Sequence, residues 1–403
     1  MWNRLFRLFY VRSTPDGRSY GDELDPYLWL ETRYLLKGHS NKEARALMQQ
    51  FLDQHAERLV RDPLKRAMLQ RDLWAVYDWL ENNYGMDQEK RLELRRLLGE
   101  IIRRLALGED EIRKLPDNYR VALEAKEFPQ DDDVNHRERA FLPDLFRVEG
   151  PWVCVGKTDD QPVAPLHLSV FKGRSIFLVF LNLPGGRGET LAYLKELRAV
   201  PSHWATMAGF HEGSGPRVRA PQPPQFPLGT KVALVRQMVL VSDSGKLIPT
   251  HITESVQLRV YRKIDPAMIG MNLSHFQEAQ DVFEFRLDRR NLFAGKSGLR
   301  SLSAGEKELS AFLSHGDDPF ESSKPPYDME AHGSVVLRSC AACHADPGVQ
   351  SFISHSRAHF DMPSLMGAVP PDLKESTQAR EIELQMRWRA QHPELNTELS
   401  GQR

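Results

Sequence analysis

Hydrophobic positions recur at helical spacing through the first third of the chain. Between residues 41 and 60, apolar side chains such as Leu47, Met48 and Phe51 fall three and four positions apart. Asp62-Pro63 has the form of a capping residue followed by proline at the first helical position. These patterns predict a helical bundle over 28–125, preceded by an irregular lead-in over 1–27.

The middle of the chain has the pattern of β-structure. A polar stretch over 126–145 predicts a linker, and the strand pattern begins after it. The predicted elements are a buried strand within 175–184, a helix over 189–198, two long strands within 231–262 around a turn at 242–245, and a strand over 282–287. We therefore expect a mostly antiparallel β domain over 146–295.

The last part of the chain, 296–403, shows helical patterns again. The three predicted helices lie within 304–315, 330–344 and 375–392. The predicted fold class is α+β with several domains: an N-terminal helical bundle, a mostly antiparallel β middle domain and a C-terminal helical segment.

Charge and hydropathy narrow the class of protein. The chain has 54 Lys and Arg residues against 55 Asp and Glu, so no overall field attracts nucleic acid. The longest apolar run, Ile176–Leu181, is far shorter than the ~20 residues of a membrane-spanning helix. We expect a soluble protein with no transmembrane segment in this chain and no nucleic-acid partner. The N-terminus does not fit a signal peptide, because Arg7 interrupts its apolar segment and no small-residue cleavage site follows.

The segment SCAACHADPG, residues 339–348, carries the strongest chemical signal. Cys340 and Cys343 are two of only three cysteines, and His344 follows them directly. On a helical turn, positions three apart share a face, so both thiols can reach the two vinyl groups of one haem. The adjacent imidazole can then bind the iron from the proximal side.

The wider stretch from Gly333 to His344, GSVVLRSCAACH, resembles the haem-attachment segment of the c-type cytochrome family. The resemblance covers the C-terminal segment only, although the whole chain is similar to large bacterial proteins with a single terminal CxxCH. It implies one covalent haem c per chain, held by Cys340 and Cys343, with His344 as the proximal iron ligand. It also implies a cytochrome c-like fold for this segment and a distal ligand further along. Met362 is our first candidate because Pro363 and the surrounding loop suit an extended ligand segment. The other side chains considered are Met366, Met386, His355 and His359.

The resemblance also implies a location and an activity. Haem attachment of this kind belongs to the periplasm or another extracytoplasmic space, even though no signal sequence is evident. We expect a one-electron carrier that meets a redox partner protein. The alternatives are a peroxidase-like haem enzyme with an open iron site and a haem-free interaction protein.

Other uses of the cysteines stay open at this point. A zinc ion could bind Cys340, Cys343 and His344, but a structural zinc site needs four protein ligands and no second cysteine pair exists. A thioredoxin-like redox pair needs a βαβ context that the pattern does not predict. The third cysteine, Cys154, is predicted to be a buried structural residue of a strand.

Overall fold

The structure is a computed structural model. It describes residues 2–13, 19–20, 35–36, 38–81, 88–157, 160–200, 204–206, 211, 217–219, 223–264, 278–302, 310–312, 332–334, 344–353, 376–395 and 399. Helices and a β-sheet are both present, which confirms a mixed α+β fold.

Helices dominate the first third of the described chain and flank the sheet afterwards. They are α1 (Trp2–Tyr10), α2 (Gly38–Asp53), α3 (Pro63–Glu81), α4 (Gln88–Arg104), α5 (Glu109–Arg113), α6 (Asn118–Glu124), α7 (Pro165–Val170), α8 (Gly186–Ala199), α9 (Arg289–Phe293), α10 (Val349–Phe352) and α11 (Ser376–Ala390). Short 3₁₀ turns cover Ala56–Leu59 and Pro393–Leu395. The predicted start of α3 is confirmed, since Asp62 Oδ1 accepts a hydrogen bond from the Lys65 backbone N–H at 2.9 Å. No helix within the described ranges has the length and apolar character needed to span a membrane.

The strands form one large sheet and three small pairs. They are β1 (Arg12–Ser13), β2 (Ser19–Tyr20), β3 (Val153–Val155), β4 (Ser175–Asn182), β5 (Trp204–Thr206), β6 (Arg217–Arg219), β7 (Lys231–Val241), β8 (Leu247–Tyr261), β9 (Gln280–Leu287), β10 (Leu299–Ser301), β11 (Ser310–Phe312) and β12 (His332–Ser334). The large sheet has six strands in the order β10-β9-β8-β7-β4-β3, and every neighbouring pair is antiparallel. This confirms the mostly antiparallel sheet that the sequence predicts.

The β7–β8 hairpin is the centre of the sheet. Its turn closes through hydrogen bonds from the Ser242 N–H to the Lys246 carbonyl at 2.8 Å and from the Gly245 N–H to the Ser242 carbonyl at 2.9 Å. Gly245 has a φ of 79°, a conformation that glycine adopts without steric cost. The predicted pair of long strands around 242–245 is therefore confirmed.

Both faces of the sheet are covered by other parts of the described chain. Alternate residues on each strand point to opposite faces, so each strand contributes side chains to both. On one face, α6 and the segment after it cover the side chains of Leu178, Phe180, Val235, Val256, Leu258 and Phe285. On the other face, α8 and α10 cover Val155, Leu181, Val232 and Tyr261. Further along this second face, Leu168 of α7 packs against Phe177.

The helical region and the sheet share a hydrophobic core. Helices α1 to α4 bury apolar side chains together with Ile176 of β4 and with Val239 and Val241 of β7. Buried ion pairs reinforce this junction: Arg71 Nε of α3 lies 2.5 Å from Glu254 Oε1 of β8. The first third of the chain is thus packed directly on one end of the β7–β8 hairpin.

Three sequence predictions are corrected. Residues 2–10 form α1 rather than an irregular lead-in, because Leu5, Leu8 and Phe9 line one buried side of the helix. Within the predicted helix 304–315, residues Ser310–Phe312 form β11, and within the predicted helix 330–344, residues His332–Ser334 form β12. These two strands pair with each other, so a partner distant in sequence overrides the local helical pattern. The third predicted helix of this region is confirmed as α11.

Candidate functional site

The structure describes one residue of the CxxCH motif. His344 lies within the described residues, whereas Cys340, Cys343 and Met362 lie outside them. Their predicted roles as thioether positions and distal ligand stay predictions. The remaining cysteine, Cys154, is confirmed as a buried residue of β3, where burial raises the pKa of its thiol.

The segment 344–353 packs on the second face of the sheet, beside the end of β8 and the start of β9. The Ser351 hydroxyl donates to the His344 carbonyl at 2.7 Å and accepts from Arg259 Nη1 of β8 at 2.8 Å. Gln280 Nε2, at the start of β9, donates to the same carbonyl at 3.1 Å. On the other side of the turn, the Val349 N–H donates to Gln225 Oε1 at 2.7 Å. These contacts attach the backbone of His344 to the β-rich region at several points.

The imidazole of His344 has a defined tautomer. Its Nδ1 lies 2.6 Å from the Ser351 carbonyl oxygen. Because a carbonyl can only accept, Nδ1 carries the proton, and in the neutral ring the lone pair is on Nε2. Histidines that bind metals through Nε2 typically have this arrangement, in which a backbone carbonyl orients the ring.

A second histidine, His167, lies beside this site. It belongs to α7, where Pro165 at the first helical position fixes the start of the helix and Leu168 is buried. The His167 ring packs on Phe177 of β4, with ring centroids 5.3 Å apart. The sequence did not identify His167, because no motif surrounds it.

The position of α7 is rigidly determined at its C-terminal end. The Gly173 N–H donates to the Leu168 carbonyl at 2.8 Å, and its φ of 67° turns the chain into β4. Arg174 then reaches Asp78 of α3, with 3.3 Å between Nη1 and Oδ2, and both side chains are buried. Gly173 also lies against α11, where a Cβ atom would approach the Arg389 side chain to 2.8 Å. Contacts with two other elements, α3 and α11, therefore hold the turn between α7 and β4.

The two imidazoles face each other in nearly parallel planes. Their ring centroids are 6.4 Å apart and the angle between the planes is 15°. Burial, with the positive charges of Arg259 and Arg236, lowers the pKa of His167 to about 4. Burial and the charge of Arg259 also lower the pKa of His344 well below its ordinary value. Both rings are therefore neutral at pH 7, which is the state in which imidazole binds a metal.

Within the described ranges, no three His, Cys, Asp or Glu side chains converge as a metal-binding group. Comparison with family models, with curated proteins and with solved structures finds no match to this chain. The features of this chain that bear on its function are therefore the CxxCH motif and the surroundings of His344.

Proposed function

We propose that this protein is an extracytoplasmic electron-transfer protein that carries one covalent haem c. In this proposal Cys340 and Cys343 form the thioether bonds and His344 is the proximal iron ligand. Each thiol adds across one vinyl group, so that a carbon–sulfur bond forms, the proton goes to the neighbouring carbon and no oxidant is consumed. The bound haem supplies a one-electron Fe(III)/Fe(II) couple.

The observation that carries the proposal is the state of His344 directly after the two cysteines. Its Nδ1 proton is committed to the Ser351 carbonyl, and the ring is neutral. A neutral imidazole with its lone pair on Nε2 is the donor that haem iron requires. The described part of the motif therefore fits the haem that the sequence implies.

We further propose the division into a helical bundle over 28–125, a linker over 126–145, a β-rich domain over 146–295 and a cytochrome c-like haem-binding segment over 296–403. Helices α2 to α6 fall within the first range, and the six-stranded sheet starts in the third and extends to Ser301. Because the helices and the sheet share a core, we expect them to act as one body that docks a redox partner protein.

Haem attachment is tested by expression with an export signal in a host that matures c-type haem. We expect haem staining to stay with the wild-type polypeptide on a denaturing gel and to disappear in the Cys340→Ser/Cys343→Ser variant. Cys154→Ser is the matched control, since it removes the remaining thiol outside the motif and should keep the stain. Staining that survives loss of both motif cysteines would contradict the proposal.

The spin state of the haem iron and its reaction with added ligands distinguish an electron carrier from an enzyme. In an electron carrier, the haem iron should be low-spin in both oxidation states and titrate reversibly as a one-electron couple. It should not bind added azide. A high-spin ferric spectrum, azide binding and peroxide turnover would favour the peroxidase-like enzyme. A colourless protein with both motif thiols intact would favour the haem-free interaction protein or the zinc site, which a metal analysis would distinguish.

A further inference from the structure

A cleft of about 330 Å³ lies between α8 and the segment that leads into β7, on the same face of the sheet as 344–353. Its apolar lining includes Leu183, Phe226 and Pro227. Glu189 and Glu196 of α8 also line it, and both side chains are exposed. Among the described residues that line the cleft, these two are acidic and none is basic. The cleft therefore combines an apolar lining with negative charge.

The negative charge comes from one side of α8. Glu189 and Glu196 are seven positions apart, so two helical turns bring them to the same side of the helix, about 10 Å apart along its axis. The basic residues of the same helix, Lys195 and Arg198, point to other sides and do not line the cleft. No basic side chain within the cleft therefore neutralises either carboxylate.

The lining of the cleft is in contact with the segment that carries His344. Phe226 packs on Phe352, with ring centroids 5.6 Å apart. Phe352 directly follows Ser351, whose carbonyl oxygen lies 2.6 Å from His344 Nδ1. A continuous series of contacts thus connects the cleft with the imidazole of the proposed proximal ligand.

Gln225 fixes the cleft to this segment a second time. Gln225 lines the cleft, and its Oε1 accepts hydrogen bonds from the Phe226 N–H at 2.8 Å and from the Val349 N–H at 2.7 Å. Gly348 has a φ of 55°, and a Cβ atom there would come within 2.1 Å of Gln225 Oε1, so the approach requires glycine. The cleft and the segment after His344 are therefore packed as one unit.

We propose that this cleft is the docking site for the redox partner protein, and that the partner presents lysine or arginine side chains to it. This inference rests on the proposed function, because the partner's oxidised centre would accept one electron from the haem on His344. Complementary charge across an interface speeds the encounter of two proteins, and Glu189 and Glu196 supply the negative half. The apolar lining suits the aliphatic stems of such side chains, whose charged ends would reach the two carboxylates.

One-electron oxidants of opposite charge test the docking site on the reduced holoprotein. The cationic probe is tris(1,10-phenanthroline)cobalt(III), and the anionic probe is hexacyanoferrate(III). At low ionic strength, we expect Glu189→Gln/Glu196→Gln to slow the reaction with the cobalt complex by about threefold or more, because a charged cleft raises association rates. The reaction with hexacyanoferrate(III) should not become slower. Glutamine keeps an oxygen that can accept the hydrogen bond that Glu189 receives from the Gly185 N–H.

The matched control is Glu124→Gln/Glu138→Gln, which removes the same two charges from exposed positions outside the cleft. It should leave the reaction with the cobalt complex nearly unchanged. Equal slowing in both double variants would show an effect of net charge alone and would overturn the inference, as would no slowing in either. A wild-type chain without covalent haem would instead refute the proposed function, and the inference with it.

Binding at the cleft is measured with hexaamminechromium(III), a cation that is redox-inert and paramagnetic and therefore broadens the NMR signals of nearby methyl groups. We expect it to broaden the signal of Ala192, which lines the cleft, in the wild type and in the control variant. The signal should stay sharp in Glu189→Gln/Glu196→Gln. Equal broadening in all three proteins would overturn the inference. Because this measurement does not use the haem, a failed docking site is distinguished from failed haem attachment.

Discussion

Replacement of Glu381 by glutamine should stabilise the protein at neutral pH and have little effect at acidic pH. Glu381 lies on α11 and is 1% exposed. Its Oε1 accepts hydrogen bonds from the Val163 N–H at 2.7 Å and from Gln385 Nε2 at 3.0 Å. Its Oε2 has no hydrogen-bond partner among the described residues. Through Val163, this carboxyl group holds the segment that leads into α7.

The expected magnitude follows from the pKa of this carboxyl group. Burial raises the pKa of Glu381 from its ordinary 4.5 to about 7. The folded state therefore holds the proton more tightly than the unfolded state. The stabilisation of the folded state by this bound proton is fully present below pH 4.5 and is lost as the pH rises through 7. At about 1.4 kcal/mol per pKa unit, the loss reaches about 3 kcal/mol.

Glutamine has no proton to lose, and it retains the oxygen that Val163 and Gln385 contact. The free energy of unfolding of Glu381→Gln minus that of the wild type should therefore be near zero at pH 4.5. It should rise to about 3 kcal/mol at pH 8. Urea unfolding followed by circular dichroism, at half-unit steps between pH 4.5 and 8, measures this difference.

The control is Glu383→Gln, an exposed position on the same helix. It should change the free energy of unfolding by less than about 0.5 kcal/mol at every pH. A Glu381→Gln difference that stays constant with pH would refute the reasoning. A destabilised variant at pH 8 would show instead that the folded state stabilises the ionised carboxylate, with the charge of the buried Lys157 as one contribution.

Three further predictions concern stability and are checked by urea unfolding at one pH. Asn118→Ala removes three buried hydrogen bonds to backbone groups and should lower the free energy of unfolding by about 3 kcal/mol. The control Asn135→Ala, at an exposed position, should change it little, and equal effects of the two substitutions would contradict the prediction. Leu178→Ala opens a cavity in the core under the sheet and should lower the free energy of unfolding by about 2–5 kcal/mol. The control Val148→Ala, at an exposed position, should lower it by less than about 0.5 kcal/mol. Ser351→Ala removes a hydroxyl that makes three hydrogen bonds around His344 and should cost about 2 kcal/mol, and an unchanged midpoint would show that these contacts add nothing.

The parts of the fold that the sequence predicts are those with a strong local signal. The β7–β8 hairpin combines two runs rich in β-branched residues with a Ser-Asp-Ser-Gly turn. Helix α11 consists mostly of residues that favour helix, such as Ala379, Glu383 and Met386. In both cases the local preference and the final packing agree, so local reasoning is sufficient.

The predictions that are wrong fail where distant contacts decide. Arg4 and Arg7 interrupt the apolar run of the N-terminus, but they lie on the exposed side of α1 while Leu5 and Phe9 are buried. Attention to the four-residue spacing of these apolar residues would have found the helix. Strands β11 and β12 depend on pairing with each other, which no local pattern specifies.

The candidate site, too, is predictable from the sequence only where the residues are close in the chain. Cys340, Cys343 and His344 are adjacent in sequence, so their spacing alone indicates haem attachment. His167 is a single histidine in a six-residue helix. Only the packing of α7 on the sheet, together with the attachment of 344–353 to β8 and β9, brings its ring to 6.4 Å from that of His344.

The most direct test of the central claim is the intact mass of the denatured polypeptide after export in a host that matures c-type haem. The mass is measured together with the haem content by pyridine haemochrome. The wild-type chain should exceed the mass of the Cys340→Ala/Cys343→Ala chain by one haem, after allowance for the two substitutions, and give one haemochrome per chain. A wild-type mass equal to that of the polypeptide alone, with both motif thiols free to react, would contradict the account.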